Sequence, residues 1–408
     1  MTDERCTVAV VGGGTAGLAL ARELMRVQVG RVVVLEREAE AGGIPRHCGH
    51  YPFGLREYRR LMKGPDYARL NRERAKAAGA EIRTGTTVTR LLPGGRLELS
   101  TPCGPSSLAA ERVVLCTGVR ESSRAQRLVS GDRPGGVLST GALQGSVYLK
   151  GIKPFQRPVI FGSELVSFSA FQTCAHLGIS PVAMVEEESR IVARKLFTPY
   201  LWLKRVPLYT GVSSPRILGK NRVEALEFED CNGALQTFET DGIIMSGRFR
   251  PESALLRRSH IAIDPGTGGP VVDQFGRCSD PTYFCAGNLL RPAETSGWCW
   301  TEGIETARRV ARDLGQPAPS TSVPLVTKDA RLRFVVPQRL TATQLEDGME
   351  HMYLGLETAV NATVMARCGD RVLWSGSLRG RPVRRITLPL GEILRARPDA
   401  PVELTLEG

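Results

Sequence analysis

The sequence predicts an α/β protein made of two Rossmann-like dinucleotide-binding domains followed by a small C-terminal β domain. Three observations carry that prediction. The segment "TVAVVGGGTAGLALARELMR" runs from an apolar strand through a glycine turn into a helix. A second strand, turn, helix and strand of matching spacing begins at Arg157. Beyond residue 325, short runs such as "RLRFVV", "RVLW" and "RRITLPL" show strand-like alternation.

The first unit opens on the strand Val8 to Val11, and Gly12, Gly14 and Gly17 then form G-x-G-x-x-G. Gly12 permits the tight turn, Gly14 lets the backbone approach a pyrophosphate, and Gly17 lets the helix pack on the strand. The helix start favours the phosphate charge. A second strand, "RVVVLERE", ends at Glu36, 24 positions after Gly12, where a carboxylate accepts hydrogen bonds from a ribose diol.

The second unit, "RPVIFGSELVSFSAFQTCAHLGISPVAMVEEES", keeps the turn at Gly162 and the acid at Glu186, again 24 positions apart. Glu164 replaces the second glycine and Ser167 the third. A carboxylate where a pyrophosphate should approach is repulsive and fills the space, so the fold is expected to persist while NAD(P) binding is doubtful. Two further strands end in small turns, "RVVLCTGVRE" and "DGIIMSGRFRP", and "PTYFCAGNLLRPAETSGWCWTEGIETARRVARDLG" predicts strand, turn, loop and amphipathic helix.

Composition narrows the class. At 408 residues the chain is long enough for two or three domains. Its 42% hydrophobic and 24% charged residues are ordinary for a soluble globular protein. No apolar run is long enough for a membrane span and no leader pattern opens the chain, so a cytoplasmic location is expected. The ten cysteines form no C-x-x-C pair and no metal-ligand cluster, so no metal site is expected and free thiols are. The net charge of +12 is spread among scattered arginines, which points away from nucleic acid and toward an anionic cofactor, substrate or partner protein.

Over residues 5 to 316 the ordered segments Gly12 to Gly17, Glu36, "LCTG" ending at Gly118, the turn at Gly162 and "FCAGN" resemble the pyridine nucleotide-disulfide reductase-like flavoproteins. "GGI…C.H…FG" and "GNLLRPAETSGWCW" narrow the likeness to flavoprotein subunits of amine, opine and imino-acid dehydrogenases and hydrogen cyanide synthase. They also resemble flavoproteins that accompany glycerol-3-phosphate-dehydrogenase-like proteins. The resemblance implies FAD in the first unit, with Gly12, Gly14, Gly17 and Gly43 about the pyrophosphate. Glu36 and Arg37 then stand at the adenosine ribose, Val88 at the adenine, Thr117 and Gly118 in the turn near the cofactor, and Gly287 and Asn288 near the ribityl chain. Asn288 stands where the family has an acid. The helix expected from Thr301 to Arg312 points its start at the flavin pyrimidine.

The resemblance also implies that one domain is inserted in the other. Residues 1–125 and 245–318 form a discontinuous FAD domain, 126–244 the NAD(P)-like domain, and 325–408 the β domain after the linker "GQPAPSTSVP". Related reductases carry a C-x-x-x-x-C pair after the glycine pair, and here Cys48 is alone. Three readings of its loop stand: a redox thiol favoured by His47 or His50; a pocket wall in which His50 is an acid/base; or a polar wall without chemistry. Trp298 and Trp300 either stack on the flavin or serve as core or interface, the latter preferred. "RKLFTPYLWLKRVPLY" is expected to be a buried helix rather than a membrane or partner contact. The implied activity is hydride transfer from an amino, imino or hydroxy acid to flavin, with electrons leaving to a partner subunit or acceptor. The alternatives are an FAD-binding relay subunit of a hetero-oligomer and an NAD(P)H-dependent reductase.

Overall fold

The computed structural model describes residues 4–317, 319, 321–341 and 348–408, and Lys195 by its backbone only. Linker residues Ala318 and Ser320, and 342–347 of the β domain, lie outside that set.

The first sheet is built on β1 (Glu4–Val11), β2 (Val32–Leu35), β3 (Glu81–Arg83), β4 (Thr87–Leu92), β5 (Arg96–Thr101) and β6 (Gly104–Leu115), in the order β3-β2-β1-β6-β5-β4. The run "VAVV" is apolar on both faces because β1 is central: Val10 lies between Val34 and Val114, parallel to both. Helix α1 (Thr15–Arg26) crosses from β1 to β2 and buries Leu18, Leu20 and Leu24 completely or nearly so. Helix α2 (Gly64–Ala77) leads from the Cys48 loop to β3.

The chain leaves this domain at Val119–Arg120 and returns beside the same point at Arg250–Pro251, the two segments pairing antiparallel. Between them lies a second, all-parallel sheet. Its strands are β7 (Val137–Ser139), β8 (Val159–Phe161), β9 (Ala183–Glu186), β10 (Leu208–Thr210) and, after the antiparallel strands β11 (Ser213–Leu218), β12 (Ala225–Glu229) and β13 (Leu235–Glu239), β14 (Ile243–Met245). The order β10-β9-β8-β14-β7 repeats that of the first unit, with β8 central. Helices α3 (Thr140–Gln144) and α4 (Leu165–His176) pack on it.

Returning, β15 (Tyr283–Cys285) pairs with the second half of β6, and α5 (Ser296–Gly315) follows. The expected start of this helix at Thr301 is corrected to Ser296. Cys299, Gly303, Thr306 and Val310 recur at helical spacing on its buried face, which carries the "WCW" segment into the first turns. "RKLFTPYLWLKRVPLY" is also corrected. Its α-helix is only the six residues Thr198–Leu203, burying Leu201 while Leu196, Trp202 and Leu203 stand about 80% exposed, and its last residues, Leu208 and Tyr209, belong to β10. A helix this short offers one face to Phe168 and Phe171 and leaves the rest outside.

The C-terminal segment forms a five-stranded and a three-stranded sheet, and all three of its alternating runs are strands: Leu332–Val336, Arg371–Gly380 and Ile386–Pro389. It is not tethered loosely. Leu325, Phe334, Leu340 and Met352 share one buried cluster with Ala9, Val33, Leu115 and Tyr283 of the first domain. Buried polar bonds cross the same boundary: Val272 N–H donates to Gln338 Oε1 at 3.0 Å and Thr341 N–H to Gln274 Oε1 at 2.8 Å.

Candidate active site

The first glycine turn is shaped by close approaches. Gly12 has φ of +106°, and a methyl on Gly17 would collide with the Gly12 carbonyl oxygen. A methyl on Gly14 would meet only the Gly43 Cα, 3.9 Å away, so Gly14 borders open space. Gly43 is folded against it: a methyl there would lie 2.9 Å from the Gly14 Cα. The loop is pinned by Gly42 N–H donating to the Gly13 carbonyl at 2.7 Å. Helix α1 has neither a side-chain cap nor an acid in its first turn, so its leading N–H groups are available to an anion. Glu36 is buried at the end of β2. Its Oε2 accepts from Gly13 N–H and its Oε1 from Glu38 N–H, both at 2.9 Å, leaving one lone pair on each oxygen for a diol.

The other implied FAD residues gather around this turn to different degrees. Arg37 is exposed and ion-pairs with Glu38 at 3.6 Å. Val88 is half-buried on β4, and the Thr86 N–H two residues before it donates to the Glu36 carbonyl at 2.9 Å. Thr117 Oγ1 donates to the Glu252 carbonyl and Glu252 N–H to the Gly118 carbonyl, tying this turn to the returning chain. Gly287 stands against Ala16 of α1, its N–H donating to Glu302 Oε2 at 2.9 Å. Asn288 is occupied within its own loop, accepting from Glu294 N–H at 2.6 Å and donating to the Glu294 carbonyl at 3.1 Å. The open space before Gly14, the uncapped helix and the buried acid together fit FAD.

The second turn is furnished differently. Ser167, at the third glycine position, joins a buried hydroxyl chain with Ser246 and Thr140, each link 2.9 Å. Glu164 lies over Gly247, its Oε1 accepting from Arg248 N–H at 2.6 Å. Glu121 accepts from Gly141 N–H at 2.7 Å and Gly247 N–H at 3.1 Å. Burial pushes both carboxyl groups above the usual range. Sequence reasoning missed Glu121: it sits in "GVRE" with nothing local to distinguish it, and only the return of Gly247 beside it gives it a place.

Cys48 faces the inserted domain. Its thiol donates to Gln144 Oε1 on α3 at 3.4 Å, and Tyr148 packs against Gly49. Burial pushes the thiol up to about 12, with the Glu121 charge adding to it. His47 is held below its ordinary value by burial. His50 is half-buried; its Nδ1 donates to the Tyr51 carbonyl 3.0 Å away. Among the described residues no cluster of three His, Cys, Asp or Glu is placed to hold a metal, all ten cysteines are free, and no helix is long and apolar enough to cross a membrane.

This arrangement can be compared with known proteins. Residues 6–312 match the model of the pyridine nucleotide-disulphide oxidoreductase family. The chain is 27% identical over 241 residues to the sarcosine oxidase subunit alpha of Rhizobium meliloti (strain 1021), covering 56% of this chain and 22% of that one. It thus spans about a fifth of that relative's length. Thioredoxin reductase from T. acidophilum superposes with TM-score 0.65 at 21% identity, covering 77% of this chain and all of that one. L-proline dehydrogenase from P. horikoshii gives 0.59 at 18%, covering 78% of this chain and 58% of that one. The bacillithiol disulfide reductase of Bacillus cereus gives 0.62 at 18%, covering 76% and 99%. The chain belongs to the pyridine nucleotide-disulphide oxidoreductase family.

Proposed function

We propose that this flavoprotein oxidises a small amino, imino or hydroxy acid and passes the electrons to a partner subunit or acceptor. The observation that carries this reading is the contrast between the two turns: Gly14 borders open space, whereas Glu164 lays its carboxylate across the matching place in the inserted domain. A pyridine nucleotide would have to bring its pyrophosphate against that acid. Dithiol exchange lacks its second thiol, since Cys48 bonds to Gln144 and no disulfide forms among the described residues.

Bound FAD supplies a two-electron acceptor in the first domain. Around it, α1 and Gly43 would hold the pyrophosphate and Glu36 the ribose. His50 takes the proton that the substrate nitrogen or oxygen releases as its C–H is oxidised. Cys48 is wall between the domains, its thiol neutral at working pH. The sarcosine oxidase subunit relative favours a hetero-oligomer, and with it a second reading in which the chain relays electrons and substrate chemistry sits on another chain.

Anaerobic bleaching of the bound flavin tests these readings, with NADH, NADPH, amino and imino acids, opines and glycerol 3-phosphate as reductants. Bleaching by an organic acid in the isolated chain is the expected result. Bleaching by NAD(P)H alone would overturn the reading of Glu164. No bleaching by any compound would favour the relay.

A further inference from the structure

Trp298, in the first turn of α5, is clasped by two arginines from distant parts of the chain. The guanidinium carbon of Arg56 lies 3.5 Å from the centre of its ring and that of Arg385 lies 3.3 Å away. Two guanidinium groups cannot share one face at those distances, so they occupy opposite faces. Arg56 comes from the short helical segment after the Cys48 loop, and Arg385 from the C-terminal domain. The cluster continues inward. Arg385 meets Glu294 at 3.3 Å and the Tyr353 hydroxyl at 3.3 Å, and Arg291 stacks on Tyr353 at 3.6 Å while bonding Glu302 at 2.9 Å. Glu302 in turn accepts from Gly287 N–H, so the cluster reaches the flavin-side turn.

Arg385 is matched by Glu294 and Arg291 by Glu302, while the Glu57 carboxylate beside Gly297 accepts from the Tyr67 hydroxyl. Arg56 is left without a bonded carboxylate. Among the described residues it makes neither hydrogen bond nor ion pair, and its only contact of note is with Trp298. A guanidinium stacked by its face keeps all its N–H donors in the ring-parallel plane, pointing outward and already oriented. That is the geometry that receives a planar carboxylate through two parallel bonds. Resting on the reading of an acid substrate given above, we propose that Arg56 and Arg385 about Trp298 form the subsite for the substrate's carboxylate, so that the C-terminal domain completes the active site.

The test is benzoate titration of the FAD-loaded protein, followed by tryptophan fluorescence and the visible flavin band, with uncharged benzamide as control. Benzoate should give a saturable change that benzamide does not. Arg56→Gln and Arg385→Gln should each weaken it about tenfold or more, the usual scale for a lost charge-assisted bond. Arg59→Gln, an exposed neighbour outside the stack, should change it less than about twofold. Flavin content and melting temperature check that each variant is folded. No saturable change, equal binding of benzamide, or equal weakening by Arg59→Gln overturns the subsite. So does a lowered melting temperature in Arg385→Gln with unchanged benzoate binding, which would make the stack a domain clamp only. If benzoate binds through Arg56 yet no acid bleaches the flavin, the subsite stands and the substrate reading falls. If an acid bleaches it with unaltered KM in Arg56→Gln, the reverse holds.

Discussion

The carboxylate of Glu164 rests on the backbone amide of Arg248, 2.6 Å away, in the position that Gly14 leaves open in the first domain. Glu164, with Ser167 at the third glycine position, thus separates two turns that are alike in topology and spacing. With Glu121 on the neighbouring Gly247 amide, two carboxylates stand beside the second turn where the first has none, and their charge opposes a pyrophosphate. Adding 1 mM NADH or NADPH should therefore leave the melting temperature within about 1 °C, because a ligand stabilises only by binding the folded form. A clear rise measured by differential scanning fluorimetry would contradict this account of the second turn.

Gly14 and Gly17 should respond oppositely to the same added methyl. Gly14→Ala meets no protein atom closer than 3.9 Å, so the fold should melt normally while FAD affinity drops about tenfold or more. Gly17→Ala drives its methyl into the Gly12 carbonyl and should cost about 1–3 kcal/mol of stability besides the cofactor. Denaturant unfolding and flavin fluorescence of the two variants separate the effects.

Cys48 should be chemically quiet. With its thiol pushed up to about 12 by burial, it should react with iodoacetamide far more slowly at pH 8 than the exposed Cys103 and Cys231, as read by mass spectrometry of alkylated peptides. Cys48→Ser should change the flavin reduction rate less than about twofold. A loss of tenfold or more would restore the thiol to the chemistry.

Acid should loosen the packing of α1 on α5. Glu23, on α1, is held down to about 2 chiefly by its bonds to Arg26, with Arg308 of α5 adding to them. A carboxyl depressed from 4.5 stabilises the fold fully above pH 4.5 and loses that contribution as pH falls toward 2. Because both arginines are largely exposed, the contribution is about 1 kcal/mol. Urea unfolding of Glu23→Gln should show this loss at pH 7 and little difference from the parent near pH 2.

Much of the architecture was legible because it rests on local patterns. The continuous apolar run of β1, the glycine spacing and the acid at Glu36 each act within about thirty residues, and the same spacing announced the second unit at Gly162. Alternation marked the C-terminal strands. The start of α5 was missed because Pro292, Gly297 and the tryptophans look like loop, while the buried face that makes them helical lies on α1. "RKLFTPYLWLKRVPLY" looked like one buried helix because its apolar content is high, yet its helical part meets Phe168 and Phe171 on one face only and its end, Leu208 and Tyr209, is drawn into strand β10.

By itself, then, the sequence determined the two nucleotide-type units, the intact first turn and the altered second one, since each follows from side-chain size and backbone freedom at fixed short spacing. Only the tertiary structure decided that Cys48 is sealed against Gln144, that Glu164 and Glu121 close on Gly247 and Arg248, and that Arg56 and Arg385 meet across Trp298. These pairs are separated by 84 to more than 300 residues, and the charge, burial and donors each group meets are set by which distant chain folds against it.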